Sequence, residues 1–400
     1  MNVALIHPDT PQSEDEILLG LHPPVGLAWL AGNLPHHTVT VTDLRCEGLD
    51  IGRWDVVGLS CLTVSLETCR QIAAVIREEL PSSIIVTGGH HSLSRELLDF
   101  SDYVVKGEGE IAFQRLLSFL ETRKNPSTIP GLSSHAFTTP QGPPADITAL
   151  KAPEYGVIEL RQYHPNEGCM VTSRGCPFTC IFCTHPFGYT WRGRSSGQVV
   201  QEAEDLISRG AGTLHILDDL FTWDHSRVTA ICEGFHSLQV QWDLPNGTRV
   251  DTVNEELLTT MARSGCTRVL YGIESGVPDV LKLIKKHITL ETIKKAIKIT
   301  KDAGIEVEGL FMVGNPGDTY ETIECTVEFA KSLDINGHFS LATPYPGTEF
   351  WRWVEIHGRF LDVPYAQFEQ VPVFETDEFP AADRLSALKW AQKECEKIKR

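Results

Sequence analysis

Cys176, Cys180 and Cys183 lie in the run RGCPFTCIFC, with three residues between the first pair and two between the second. Three thiolates this close form a ligand set for a soft metal. A closed structural zinc site needs four ligands and an ordinary ferredoxin cluster takes four cysteines. No second paired-cysteine motif is present to complete either. The spacing therefore suggests an iron–sulfur cubane with one iron open to a small molecule, an enzyme's arrangement. A zinc set completed by His185, or three cysteines that merely cluster, is the plainer alternative.

Such a loop needs a scaffold. From Met170 onward, strand-like segments recur, each followed by a helical one: MVTSRG, TLHILDD, WDLPNGTRV, RVLYGIES, EVEGLFMVG and HFSLATPYPG. Six parallel strands joined by helices, with polar residues at their carboxyl ends, imply a barrel whose site lies at that face. The first 120 residues alternate short apolar runs with amphipathic stretches, the pattern of a doubly wound parallel sheet. Ligands of such a sheet bind beyond the carboxyl ends of its strands. Here those ends carry SCLTVS at Ser60–Ser65, TGGHHS at Thr87–Ser92 and KGEGE at Lys106–Glu110. Between the two regions, from Thr122 to Tyr163, the chain is rich in proline and glycine and reads as a linker.

The cysteine run, with Phe182 just before its last cysteine, resembles the signature of the radical S-adenosylmethionine enzymes, whose open iron chelates the amino and carboxylate groups of that cofactor. Six units rather than eight resemble that family's partial barrel. The segments HPPVGLAWLAGNL, VGLSCLT, VTGGHHS and VVKGEGE resemble the cobalamin-binding domain attached to one large class of these enzymes. The implied fold is α/β, an N-terminal doubly wound (Rossmann-like) cobalamin-binding domain followed by a partial barrel of six β/α units. The expected organisation is a cobalamin-binding domain at 1–125, a linker at 126–164, the barrel at 165–350 and a helical extension at 351–400. In that extension Leu385, Leu388, Ala391 and Cys395 recur at helical spacing.

The resemblance also implies site residues. Cys176, Cys180 and Cys183 would hold a 4Fe-4S cluster, and Phe182 would lie beside the adenine of S-adenosylmethionine. Of Asp218 and Asp219, one would accept from the cofactor's ammonium and the other would cap the following helix. Arg249 would pair with the cofactor carboxylate through two parallel hydrogen bonds; being oriented by Asp251, or simply lying exposed at a strand end, are the alternatives. Glu274 and Ser275 would meet the ribose, and Val313, within Met312–Gly314, would run beneath the adenine. Tyr345 would line the substrate cavity or fill the core. Cobalamin would be enclosed by Ser60, Leu62 and Thr63, by Gly88, Gly89 and His90, and by Gly107, Glu108, Gly109 and Glu110. The Asp-x-His-x-x-Gly motif that supplies an axial histidine in other cobalamin proteins is absent. His7, His90 and His91 are the axial candidates, with ordinary loop histidines as the alternative. A domain that binds no corrin and serves only to dock the barrel is the plainer reading of the same fold.

Composition narrows the classes further. The 53 acidic and 35 basic side chains give a net charge of −18, which repels nucleic-acid phosphates. Eleven cysteines without scaffold spacing read as a reducing, cytoplasmic setting. The amino terminus has no signal-peptide pattern, and no apolar run is long enough to span a bilayer. Cys46, Cys61 and Cys69 lack a ligand pattern, which argues against a methylthiotransferase with a second cluster. The expected function is cobalamin-dependent radical chemistry, methylating an unactivated carbon or a phosphinate phosphorus of a small-molecule, lipid or peptide substrate. A flavodoxin or ferredoxin would supply electrons. Non-methylating cyclisation, ring contraction or oxidation is the alternative within the class, and a noncatalytic iron–sulfur or cobalamin carrier is the alternative outside it.

Overall fold

The computed structural model describes residues 1–10, 21–91, 94–163 and 167–396. Ser92 of the TGGHHS loop, His164 at the end of the linker and the last four residues lie outside these. The chain forms two compact units, one drawn from residues 1–10, 21–91, 94–163 and 364–367, the other from 167–363 and 368–396.

In the first unit, strands β1 (Asn2–His7), β2 (Thr38–Asp43), β3 (Val56–Ser60), β4 (Ile84–Gly88), β5 (Tyr103–Val105) and β6 (Leu132–Ser133) form one sheet in the order β2-β1-β3-β4-β5-β6. All pairings are parallel except β5 with β6. Helices α1 (Val25–Gly32), α2 (Leu66–Glu79) and α3 (Gly109–Thr122) cover both faces. Val3 and Leu5 pack with Leu27, Ala31 and Leu116, while Ala4 and Ile6 pack with Ile72 and Ile76. Because successive side chains of a strand point to opposite faces, this double burial makes β1 a continuous apolar run. Helix α2 buries Leu66, Cys69, Ile72, Ala73 and Ile76, a three-and-four spacing, and stops just before Pro81.

The second unit is built on β7 (Glu167–Met170), β10 (Thr213–Ile216), β11 (Gln241–Thr248), β12 (Cys266–Glu274), β13 (Glu306–Val313) and β14 (Asn336–Leu341), in the order β14-β13-β12-β11-β10-β7. Every pairing is parallel. Sequential order without a reversal is that of a barrel, and β7 and β14 stand at its two ends with no pairing to each other among the described residues, leaving it open. A short antiparallel pair, β8 (Ser173–Arg174) with β9 (Arg192–Gly193), brackets the cysteine loop. The first barrel strand thus ends at Met170, where MVTSRG begins. The chain leaves the sheet there because Asp218 binds Thr172 and Ser173.

The connecting helices are α4 (Ser196–Ser208), α5 (His225–Leu238), α6 (Glu255–Arg263), α7 (Pro278–Leu283), α8 (Leu290–Asp302), α9 (Tyr320–Leu333) and α10 (Glu349–His357). Six of these helices are preceded by Ser195, Asp224, Asn254, Thr289, Thr319 and Thr348, whose side chains each accept a backbone N–H of the first turn. These caps satisfy donors that have no partner within the helix. Strands β15 (Arg359–Phe360) and β16 (Phe374–Glu375) form a hairpin-like pair, and helix α11 (Ala381–Glu396) follows.

Trp242 packs on Phe221 and on Phe235 of α5, so its strand neighbour Asp243 points to the barrel interior. There it begins a layer of charged and polar groups near the amino ends of the strands. His215 Nδ1 is 2.6 Å from Asp243 Oδ1 and its Nε2 is 3.7 Å from Glu167, while Arg268 donates to Asp243 Oδ2 at 2.7 Å. Glu308 is 2.8 Å from His338 Nε2. Each of the six strands contributes one member of this layer, which fills the end opposite the cysteine loop with paired rather than bare charges.

Candidate active site

The cysteine loop is tied down at several points. Cys176 N donates to Gly188 O at 3.2 Å, Ile181 N to Ile284 O at 3.2 Å, and Phe350 N to Ile181 O at 2.9 Å. All three thiols are half-buried and free of disulfides. Burial raises the pKa of each; Phe178's backbone eases the shift at Cys176, and Lys286 and Arg249 ease it at Cys180. Cys183 is pushed up to about 11 by burial, against a backbone hydrogen bond from His185, with Asp219 and the other two thiols adding to the rise. Three half-buried thiols on one loop, with Lys286 and Arg249 at hand, are a fitting donor set for one metal cluster. Binding it would displace their protons. His185 packs against Tyr189, ring centroids 4.2 Å apart and planes tilted by 35°.

The acidic pair divides. Asp218 is buried and accepts from Thr172 N at 2.5 Å, Thr172 Oγ1 at 2.6 Å and Ser173 Oγ at 2.6 Å. It shapes the entry to the cysteine loop. Asp219 is half-buried and accepts from Gly175 N at 2.8 Å. Burial, with the charge of Asp218 adding, lifts its pKa to about 6 against that hydrogen bond. That bond ties it to the residue before Cys176, and its charge adds to the rise at Cys176 and Cys183. Neither aspartate caps the next helix; Asp224 does so. Asn246, whose amide donates to Leu217 O and Asp218 O at 3.3 Å each, also steadies this strand end.

Arg249 is spoken for. Its Nε and Nη2 each reach a carboxylate oxygen of Asp251 at 2.8 Å, and Nη2 also donates to Lys286 O at 2.8 Å. The two-pronged edge that would clamp a cofactor carboxylate is thus engaged by Asp251, while Nη1 faces Cys180 Sγ at 3.8 Å. Glu274, at the end of β12, has φ of 70° and accepts from Lys286 Nζ at 2.7 Å. Lys286 Nζ also lies 5.8 Å from the centroid of the half-buried Phe182 ring. Ser275 is turned inward: its hydroxyl is 3.3 Å from Thr326 Oγ1 and accepts Val277 N at 3.1 Å. That commitment to the β12–α7 turn takes it away from the expected ribose contact.

Val313 is buried at the end of β13, followed by Gly314 with φ of 100°. Asp318 Oδ2 accepts Gly314 N and Asn315 N, and Arg384 of α11 donates to Gly314 O at 3.2 Å. A Cβ at position 314 would lie 2.8 Å from Arg384 Nη1, so at this φ only glycine fits. Tyr345 donates to Glu369 and leans on Phe368, ring centroids 6.4 Å apart.

In the first unit the adjacency of β3, β4 and β5 gathers the three expected loops at one edge. Cys61 N donates to Gly88 O at 2.7 Å and His91 N to Cys61 O at 3.1 Å. Gly89 has φ of 102°, and a Cβ there would lie 2.6 Å from Cys61 O. Thr63 Oγ1 is 3.1 Å from His91 Nδ1, whose Nε2 is 2.9 Å from Glu96. Both ring nitrogens of His91 are engaged, which removes it as an axial ligand; its ring also meets Tyr365 edge-on at 5.4 Å. His7 Nδ1 is 3.0 Å from Pro8 O, and His90 is exposed. Leu62 N is held by Ser65 Oγ at 3.0 Å, and Ser60 ends β3 beside them. Gly107 has φ of 76°, Glu108 precedes α3, and Gly109 and the buried Glu110 open it. Small residues and backbone dominate this edge, a surface that fits a large planar corrin without requiring a histidine.

Lys286 and Asn246 carry no sequence signal. Lys286 sits in LIKKHI, where lysines after a helix read as solvent-facing.

Residues 170–330 match the Radical SAM superfamily and residues 18–117 match the B12 binding domain. An uncharacterized methyltransferase of Pyrococcus horikoshii is 31% identical, over 97% of this chain and 90% of its own. The anaerobic magnesium-protoporphyrin IX monomethyl ester cyclase of Cereibacter sphaeroides is 28% identical, over 88% of this chain and 63% of its own. The radical S-adenosylmethionine methyltransferase TsrM of Kitasatospora setae, solved with cobalamin and a 4Fe-4S cluster, shares the fold with a TM-score of 0.76 at 20% identity, covering 91% of this chain and 81% of its own. No helix among the described residues is long and apolar enough to cross a membrane. With both domains matched in order and a relative aligned over nearly its whole length, this chain belongs to the radical S-adenosylmethionine enzymes that carry an N-terminal cobalamin-binding domain.

Proposed function

We propose that the protein is a radical methyltransferase, in which Cys176, Cys180 and Cys183 hold the 4Fe-4S cluster and Asp219 receives the ammonium of S-adenosylmethionine. The observation that carries this reading is the separation of the acidic pair: Asp218 is consumed by Thr172 and Ser173, while Asp219 accepts only from the backbone of Gly175, the residue before Cys176. When bound, the cluster would supply one-electron reductive cleavage of S-adenosylmethionine, and cobalamin a transferable methyl.

This chain's own residues bind and orient. Glu274, fixed by Lys286, presents a carboxylate for the ribose hydroxyls, and the backbone from Met312 to Gly314 gives the adenine polar partners. Phe182 provides an apolar wall beside it, excluding water. The loops at Ser60, Leu62, Thr63, Gly88, Gly89, His90 and Gly107–Glu110 hold cobalamin, within a domain of residues 1–125 joined by a linker at 126–164 to the barrel at 165–350 and the extension at 351–400. The substrate is a small molecule, lipid or peptide; flavodoxin or ferredoxin supplies electrons. Methyl transfer is favoured because the relative aligned over 97% of this chain is named a methyltransferase.

The test is anaerobic reconstitution with iron, sulfide and hydroxocobalamin, then reduction with methyl-labelled S-adenosylmethionine and mass spectrometry. Methyl transfer predicts both 5′-deoxyadenosine and S-adenosylhomocysteine. Deoxyadenosine without S-adenosylhomocysteine favours the second reading, non-methylating chemistry, which the 28% identical cyclase supports. Neither product from protein with an intact cluster would favour a noncatalytic carrier.

A further inference from the structure

Arg249 is buried to 5% exposure, and every donor edge of its guanidinium has a partner. One face lies 3.5 Å from the centroid of the Phe178 ring, a residue inside the cysteine run. Phe178 in turn packs edge-on against Trp223 at 5.8 Å. Asp251 engages Nε and Nη2, and the carbonyl of Lys286 takes Nη2 from the other side. That carbonyl is held in place by flanking residues in the left-handed region, Lys285 at φ 54° and His287 at φ 55°. Non-glycine residues persist there only when their surroundings impose it, and such residues gather at functional sites. So restrained, Nη1 is left pointing at Cys180 Sγ, 3.8 Å away.

We propose that Arg249 is a positioning residue for the cluster rather than a clamp for the cofactor carboxylate: its Nη1–H donates to the Cys180 sulfur, and Asp251 sets how much of its positive charge the cluster feels. The inference rests on the reading that the three cysteines hold a cluster. Hydrogen bonds to cluster sulfurs and nearby charge are among the determinants of reduction potential. Adding an electron makes the sulfurs more negative, so a charged N–H donor favours the reduced state. The paired carboxylate of Asp251 damps that effect. The two residues therefore pull the potential in opposite directions.

The experiment is an EPR-monitored redox titration, with dithionite as reductant, of anaerobically reconstituted wild-type protein, Arg249→Gln and Asp251→Asn, with iron and sulfide quantified for each. Arg249→Gln is expected to lower the potential and Asp251→Asn to raise it, each changing the reduced-to-oxidised ratio about tenfold, which is about 59 mV for a one-electron couple. A role confined to folding the loop would not give opposite signs. Both potentials unchanged in variants with intact clusters would overturn the proposal. If Arg249→Gln fails to retain its cluster, Asp251→Asn decides alone: a rise supports the proposal and no shift overturns it. Equilibrium dialysis of S-adenosylmethionine with Arg249→Gln should stay within about threefold of wild type, under 1 kcal/mol. A loss well beyond about tenfold with an unmoved potential would return the guanidinium to the cofactor. Wild-type protein with no iron–sulfur signal would overturn the functional reading itself, a failure separate from these.

Discussion

Lys286 Nζ lies 2.7 Å from Glu274 Oε1, and both side chains are more than nine-tenths buried. Glu274 ends the fourth barrel strand, whereas Lys286 follows a helix twelve residues later, so the pair closes a loop over the site. Removing one member of a buried ion pair strands the other's charge and costs about 3–5 kcal/mol. Lys286→Met alone is therefore expected to destabilise the protein more than Lys286→Met combined with Glu274→Leu. Denaturant unfolding of the second unit in the two single variants and the double variant completes the cycle. Additive losses would show that the two charges are not coupled.

The neighbouring aspartates should fail differently. Asp218→Ala leaves Thr172 and Ser173 donors buried without their acceptor, at about 1–3 kcal/mol for each group stranded, and lowers the melting temperature. Asp219→Asn keeps an oxygen for Gly175 N and should leave melting little changed, yet weaken S-adenosylmethionine binding about tenfold or more. Thermal melting and equilibrium dialysis on the same preparations separate the two. Equal binding losses with equal melting losses would contradict the division of labour.

A pH dependence follows from Asp318. Burial pushes its carboxyl up to about 6 from 3.8, against hydrogen bonds from Asn315 N, Thr322 Oγ1 and Gly314 N. The folded state then holds the proton more tightly than the unfolded one. This contribution to stability is full below about pH 4 and lost as the pH rises through 6, a total of about 3 kcal/mol. Asparagine can replace the carboxylate, its oxygen accepting both backbone donors and its amide facing Thr322. The stability of Asp318→Asn relative to wild type should therefore improve from pH 5 to 7.5, by about half of that total. A difference that does not vary with pH would refute the assignment.

Gly89 gives a prediction for the first unit. Its φ of 102°, and the 2.6 Å at which a Cβ would meet Cys61 O, leave no room for alanine. Gly89→Ala should cost about 1–3 kcal/mol and disturb the loops after β3 and β4 together. Cobalamin retained after desalting, read from its visible absorbance, should fall while iron content holds. Unchanged retention would place the corrin elsewhere.

The alternation of apolar strands and amphipathic helices was legible because each element repeats at its own period and six of the barrel helices start on Ser, Thr, Asp or Asn. The cysteine spacing was legible because ligands of one cluster lie close in sequence. Other features depend on partners far along the chain. Asp218 and Asp219 are alike in sequence and become distinct only when Thr172 folds against β10, 46 residues away. Lys286 looks solvent-facing until Glu274 meets it. Arg249 has a ready carboxylate two residues on, yet its remaining donor finds Cys180 only 69 residues back. His91 was an open candidate for axial ligation until Thr63 and Glu96 took both nitrogens.

On the proposed function, the three-cysteine loop and Asp219 together form one cofactor site. Its most direct test is the EPR spectrum of dithionite-reduced, reconstituted protein recorded with and without S-adenosylmethionine, for wild type and Asp219→Asn. A reduced-cluster signal is expected whose shape changes on adding S-adenosylmethionine in wild type and responds only at higher concentration in the variant. A wild-type signal indifferent to S-adenosylmethionine would contradict it.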